Sequence, residues 1–295
     1  MPTMSTSTPG QFGQFPFGRP NAVRPMRMPS TTVSALVVGV YPSAFHIAWS
    51  PPPHLDPRPV GDRRRPFIGS LAVDVETVVF WDGRTPSPTD LLAEWKAAVG
   101  FTEAHGTATI GNNGPSGAGL VDNVLTPLGL SDDEVAFTDA VPWFFVKDGR
   151  GSQGAAIRER FEPIATAMAS PLSTLPKRPS ERQLVELVRG GPRRDTLRAE
   201  FVSAGAPLVI TLGQEALDAV RAAADHYTGT QQRLAPTDDY GTCGGLVIDG
   251  HTMELLPLVH PGFQRQTTRP DWKHQLARWS ANPLDGCGPA GVSPK

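Results

Sequence analysis

ALVVGVYPS, residues 35–43, is the stretch on which the fold turns. A continuous apolar run without polar alternation describes a strand buried on both faces, and Tyr41-Pro42 stops it, because proline has no N–H to give to a ladder and restricts the residue before it. Three more runs have the same form: EVAFTDAV at 134–141, halted by Pro142, PLVITLG at 207–213, and MELLPLV at 253–259, halted by His260-Pro261-Gly262. Helical periodicity separates them. Residues 153–168 place Ala156, Ile157, Phe161, Ile164, Ala165 and Met168 on one stripe, and 181–189, 195–204, 214–225 and 271–279 repeat the pattern. Strands alternating with helices predict an α/β fold: a three-layer α/β/α sandwich around a central four-stranded, largely parallel sheet. Ligands of such sheets bind beyond the carboxyl ends of the strands, which here carry Tyr41-Pro42-Ser43, Asp139, Gly213 and His260.

Composition narrows the function classes. The 295 residues carry a formal net charge of −2, so any nucleic-acid contact must come from a local patch rather than a global basic field. Two cysteines, Cys243 and Cys287, with no CxxC pair, argue against a structural zinc, a cysteine-ligated cluster or a disulfide scaffold. No metal and no cofactor are expected. The sequence has no run of about 18 apolar residues and no signal-peptide core, so a cytoplasmic chain without membrane contact is predicted. Residues 1–30 and 282–295, rich in Pro, Gly and Ser, read as tails around a single domain at 31–281, with an insertion at about 71–115.

Six segments, in order, resemble the signature and scaffold segments of the uracil-DNA glycosylase superfamily. GVYPS (39–43) is similar to its first motif, and RPFIG (65–69) to the segment whose phenylalanine stacks on a flipped base. FTDAV (137–141) is similar to the segment whose asparagine reads the base edge, and LVHPG (258–262) to the closing histidine motif. SGAGLVDNVLTPLGL (116–130) and ITLGQEAL (210–217) resemble scaffold segments. The likeness is to the iron–sulfur branch and to a branch with an apolar first motif, but the cluster cysteines are absent.

The resemblance implies a monofunctional enzyme that hydrolyses the N-glycosidic bond of a flipped-out uracil or cytosine derivative, leaving an abasic site. Phe67 would stack on the base, Asp139 read its edge, and His260 stabilise negative charge on the leaving ring. Tyr41, Ser43 and His46 would complete the pocket. Arg63, Arg64, Arg65 and Arg265 would meet phosphates, with Phe263 as the wedge in the stack. Further basic residues, Arg189, Arg193, Arg194, Arg269 and Lys273, are candidates for the same patch.

Two departures matter. An ionised aspartate at 139 only accepts hydrogen bonds, which suits a base with an exocyclic amine and repels the O4 of uracil. The first motif holds Val40 and Tyr41 where a water-activating carboxylate belongs. Asp74 in SLAVDVET is the first substitute and Asp139 the second, with Glu76 beside Asp74. Both 74 and 76 also fit a plain surface strand. The alternative function is a catalytically silent nucleobase- or DNA-binding protein on the same scaffold; a third is a hydrolase of small N-glycosides. A monomer acting on DNA is the expectation.

Overall fold

A computed structural model describes residues 23–56, 69–147, 153–156, 177–285 and 287. The buried runs form strands where their composition places them: β1 Ala35–Gly39, β5 Val135–Asp139, β6 Leu208–Leu212 and β9 His251–Leu258. They lie parallel in the order β5-β1-β6-β9, with Gly39 in register with Asp139. The sheet is larger than the four strands expected. β8 (Gly244–Ile248) and β7 (His226–Tyr227) extend it antiparallel beyond β9 to six. The β8–β9 hairpin closes on Asp249 and Gly250, both at positive φ (49° and 76°), the geometry that a two-residue Asp-Gly loop supplies.

Alternate strand residues feed cores on opposite faces. Leu36, Val38, Ala136 and Val209 pack with α4 (Glu181–Arg189), α5 (Pro192–Ala204) and α6 (Gln214–Ala223) through Val188, Phe201 and Leu217. Ala35, Val37, Phe137 and Ile210 pack with Leu120 of α2 (Pro115–Leu120) and with Trp272 and Trp279 of α8 (Pro270–Ala281). Helix α4 begins on a reciprocal Ser180–Gln183 capping box, which satisfies backbone donors that a helix start leaves open. The helix expected over 153–168 is described only at α3, Gln153–Ala156; its remainder lies outside the described residues.

The segment read as an insertion is part of a second sheet. β2 (Ala44–Ser50), β3 (Gly69–Val75) and β4 (Thr107–Ile110) run antiparallel in the order β3-β2-β4. β2 alternates as a half-buried strand should, burying Phe45, Ile47 and Trp49. These side chains share a core with Trp81, and with Trp95 of α1 (Pro88–Val99).

Residues 23–28, read from sequence as tail, are seated. Arg27 exchanges both backbone hydrogen bonds with Phe137, at 2.8 and 2.9 Å, along the outer edge of β5, and Arg24 N–H donates to Pro142 O at 2.9 Å. The strap covers an edge that would otherwise present unpaired backbone groups.

Cys243 and Cys287 form a disulfide, where the sequence argued against a disulfide scaffold. A disulfide is the chemistry of oxidising compartments and is rare in the cytosol, so the pairing runs counter to a cytoplasmic setting. It ties the start of β8 to the segment after α8 across a sequence separation of 44. Closing a loop of that length restricts the unfolded chain, and Cys287→Ser is expected to lower unfolding free energy by up to about 4 kcal/mol. Urea unfolding of the variant beside oxidised wild type checks this; equal midpoints would mean that the bridge contributes nothing. Among the described residues no helix is long and apolar enough to cross a membrane.

Candidate functional site

The parallel strands end on one side of the sheet, and the side chains there form two connected groups. The first lies at the ends of β1 and β5. Gly39 and Asp139 are register partners, and the Asp139 side chain lies over the Gly39 backbone: a Cβ at Gly39 would sit 2.4 Å from Asp139 Oδ1 and 2.9 Å from Phe80 Cζ. Glycine is required here by close approach rather than by backbone angle. A half-buried aromatic ring and a carboxylate oxygen therefore meet over a patch of bare main chain. Phe80 adopts φ 52°, a region costly for a bulky residue, by about 1–3 kcal/mol, and such strain concentrates at ligand sites.

Arg24 and Arg193 brace Asp139. Arg24 Nη2 donates to Asp139 Oδ2 at 2.6 Å, and its Nη1 donates to the carbonyls of Glu76 (3.1 Å) and Val78 (3.2 Å). Arg193 Nη2 donates to the Asp139 carbonyl, Nε to Ala140 O at 2.8 Å, and Nη1 to Glu200 at 2.9 Å. Burial pushes the Asp139 carboxyl above the ordinary aspartate range, against the opposing pull of Arg24. Arg193 is buried and spends its donors within the protein. It drops out of the phosphate patch expected for it.

Glu76 is the second carboxylate of this group. Its N–H donates to Ser43 O at 3.0 Å, which draws it against the loop after β1, and its Oε1 accepts from Gly114 N at 3.4 Å, ahead of α2. Burial raises its pKa to about 7; Arg24 and the Gly114 N–H act in the opposite sense, and the Asp139 charge adds to the rise. Asp74, the expected base, sits within β3 opposite Phe45, where its Oδ1 accepts from Val75 N at 2.8 Å. The carboxylate within electrostatic range of Asp139 is thus Glu76. Neither is a surface group.

A carboxyl whose pKa is higher folded than unfolded holds an extra proton between the two values, so stability falls with rising pH across that window. For Glu76 the window runs from the ordinary 4.5 to about 7. At about 1.36 kcal/mol per pKa unit, the loss is on the order of 3 kcal/mol, complete above neutrality. Glu76→Gln is expected to remove that slope. Urea unfolding near pH 5 and near pH 8 checks it, and an unchanged difference between the two would contradict the assignment.

The second group joins β1 to β9. Arg178 Nε donates to the Tyr41 hydroxyl at 3.1 Å, its guanidinium lies over the Tyr41 ring, and its Nη2 pairs with Glu215. His260 caps α7 (Pro261–Gln266), accepting on Nδ1 from Gly262 N at 3.0 Å. That bond leaves Nε2 to carry the proton of a neutral ring. Burial, with the nearby Lys147 cation, lowers the His260 pKa, and Glu215 partly offsets this, so the ring is a neutral donor at pH 7. β1 and β6 lie between β5 and β9, so the strand ends that carry Asp139 and His260 stand about 14 Å apart across the sheet, given ~4.8 Å per strand. Helix α2 packs against α7.

Other expected residues fall elsewhere. Ser43 contributes only its carbonyl to the contacts around Glu76. His46 belongs to β2, its N–H and carbonyl both held by the Asn113 amide at 2.6 and 2.8 Å. Phe263 is exposed on α7, edge-on to Trp272 at 5.2 Å between ring centres. Phe67, Arg63, Arg64 and Arg65 lie outside the described residues, as does the side chain of Arg265. Arg189 and Arg269 stand on the surface in ion pairs with Glu186 and Asp271. A polar groove of about 940 Å³ between α4 and α6, lined by residues such as Glu186, Arg189, Asp218 and Arg221, contains none of the strand-end residues.

No family model matches the chain, and no curated protein matches its sequence. Its own geometry therefore carries the functional reading. Sequence reasoning missed Arg24, Phe80 and Glu215; of these only Phe80, just ahead of Asp82-Gly83, had a local signal.

Proposed function

We propose that this chain is a DNA glycosylase that hydrolyses the N-glycosidic bond of a flipped-out damaged or modified pyrimidine, leaving an abasic site. One observation supports this above the others: the Phe80 ring and Asp139 Oδ1 converge over the bare backbone of Gly39. That is the equipment for holding a planar heterocycle, a face to stack on and an acceptor for its edge. Extruding a base costs a few kcal/mol, and stacking on one aromatic ring returns about 1–3 kcal/mol. Phe80 takes the stacking role assigned from sequence to Phe67, or shares it.

In the proposed reaction Glu76 replaces Asp74 as the base. It accepts a proton from water as the water oxygen bonds to the sugar carbon and the bond to the base nitrogen breaks. The bonding electrons pass into the departing ring, where the Nε2–H of His260 stabilises the charge on O2. A carboxyl with a pKa of about 7 is half ionised at neutral pH, close to the optimum for a general base. Action on DNA as a monomer belongs to the same proposal.

The silent-binder reading draws on the Val40-Tyr41 pair and on the Arg24–Asp139 ion pair, which would serve a static site equally well. Labelled oligonucleotides carrying uracil, cytosine, 5-methylcytosine or thymine at one position separate the two. The glycosylase yields alkali-sensitive abasic sites at one of these, and His260→Ala loses most of that yield. Retention of the strand with no cleavage, at any base, supports the binder and ends the enzyme reading.

A further inference from the structure

We infer that Arg24 is a specificity-determining positioning residue, which commits Asp139 to accepting hydrogen bonds and so selects a base bearing an exocyclic amine. The inference rests on the base-binding reading and names its substrate class. The two oxygens of Asp139 have different surroundings. Oδ2 takes the Arg24 guanidinium at 2.6 Å, with both side chains almost wholly buried. Oδ1 lies over Gly39 beside the Phe80 ring, and no hydrogen bond to it from another described residue accompanies that contact. Arg24 approaches from the outer edge of β5 and is locked there by the Glu76 and Val78 carbonyls and by Pro142 O, so it stands behind the carboxylate.

A guanidinium can only donate, so a proton on Oδ2 would face an N–H at hydrogen-bonding distance. The Arg24 cation also favours the ionised carboxylate, in which Oδ1 carries no proton, so the edge offered to a ligand is an acceptor alone. The 4-amino group of a cytosine-type base donates to it. The O4 of uracil or thymine meets it lone pair to lone pair, which leaves two buried polar groups unpaired. Removing the guanidinium withdraws that stabilisation of the anion, so the buried carboxyl can hold a proton on Oδ1, donate it to O4 and accommodate uracil.

The test uses the full chain and short single-stranded oligonucleotides differing at one position, cytosine or uracil, with affinity read by fluorescence anisotropy and abasic sites by alkali. Wild type is expected to favour cytosine by about tenfold or more. Arg24→Gln, which keeps donors toward the Glu76 and Val78 carbonyls without the charge, is expected to narrow that ratio to about twofold or reverse it. Arg24→Lys, which keeps the charge, restores part of the preference. A purely structural role would weaken both oligonucleotides alike, and an unchanged ratio would overturn the inference while leaving base binding intact. If neither wild type nor variants distinguish any base from an abasic analogue, the base-binding reading itself has failed. Should Arg24→Gln not fold, the wild-type and Arg24→Lys ratios decide: a uracil preference in either overturns the proposal.

Discussion

Glu76→Gln is expected to abolish base release, lowering the single-turnover rate by roughly 10²–10⁴-fold, the range that a positioned general base supplies. Glutamine matches the shape and can still accept from the Gly114 N–H, so the loss would report the missing basic oxygen rather than a collapsed wall. The wild-type rate should climb with pH through about 7 as the carboxyl ionises, and the residual rate of the variant should lose that limb. Rates measured across neutrality test both points. A Glu76→Gln enzyme that keeps the wild-type rate would remove this carboxylate from the mechanism and return attention to Asp74.

The second large effect belongs to Gly39→Ala. One methyl would occupy the place where Asp139 Oδ1 and the Phe80 ring come together, 2.4 and 2.9 Å away. Both neighbours are side-chain tips and would swing aside, so the chain should still fold, at a cost of about 1–3 kcal/mol for overpacking. The slot itself would be lost, and affinity for a base-bearing oligonucleotide should fall by more than about tenfold. Gly190→Ala is the matching control: its Cβ meets nothing within 4 Å, and the residue has φ −127°. Its stability should stay within about 0.5 kcal/mol of wild type. If Gly39→Ala binds like that control, the strand end is not where a ligand sits.

The four parallel strands were legible in sequence because each is buried on both faces and therefore almost wholly apolar; the strands begin and end within a few residues of the runs at 35–40, 134–141, 207–213 and 253–259. Helix α4 was legible to the residue, 181–189, because its apolar stripe is bounded by Ser180 and Gly190. The second sheet carries weaker signals. β2 has the alternation of a one-sided strand, but its partners arrive from 69–75 and 107–110, and no local feature announces that pairing.

Residue type and chain pattern were enough to put Asp139, Tyr41 and His260 at or just beyond the ends of their strands, where the structure has them. The choice between Asp74 and Glu76 was not decidable, since it depends on where β3 stops; Val75 is its last residue, and the next turns in against Ser43. Arg24 was illegible for a stronger reason. It is one arginine in a Pro- and Met-rich stretch, and its meaning lies wholly in a partner 115 residues away. The pairing of Cys243 with Cys287 was hidden in the same way, two isolated residues that only the packed chain brings together.

The strap along β5 has a consequence for the order in which the molecule can be completed. Arg24 leaves the ribosome 115 residues ahead of the aspartate it must meet, and 236 residues ahead of His260 beyond β9. At ~5–20 residues per second it waits several seconds or more for a binding edge to exist, and longer for the histidine. In a nascent chain Arg24 therefore stays without its carboxylate until Asp139 has been made, and His260 follows only after a further 121 residues.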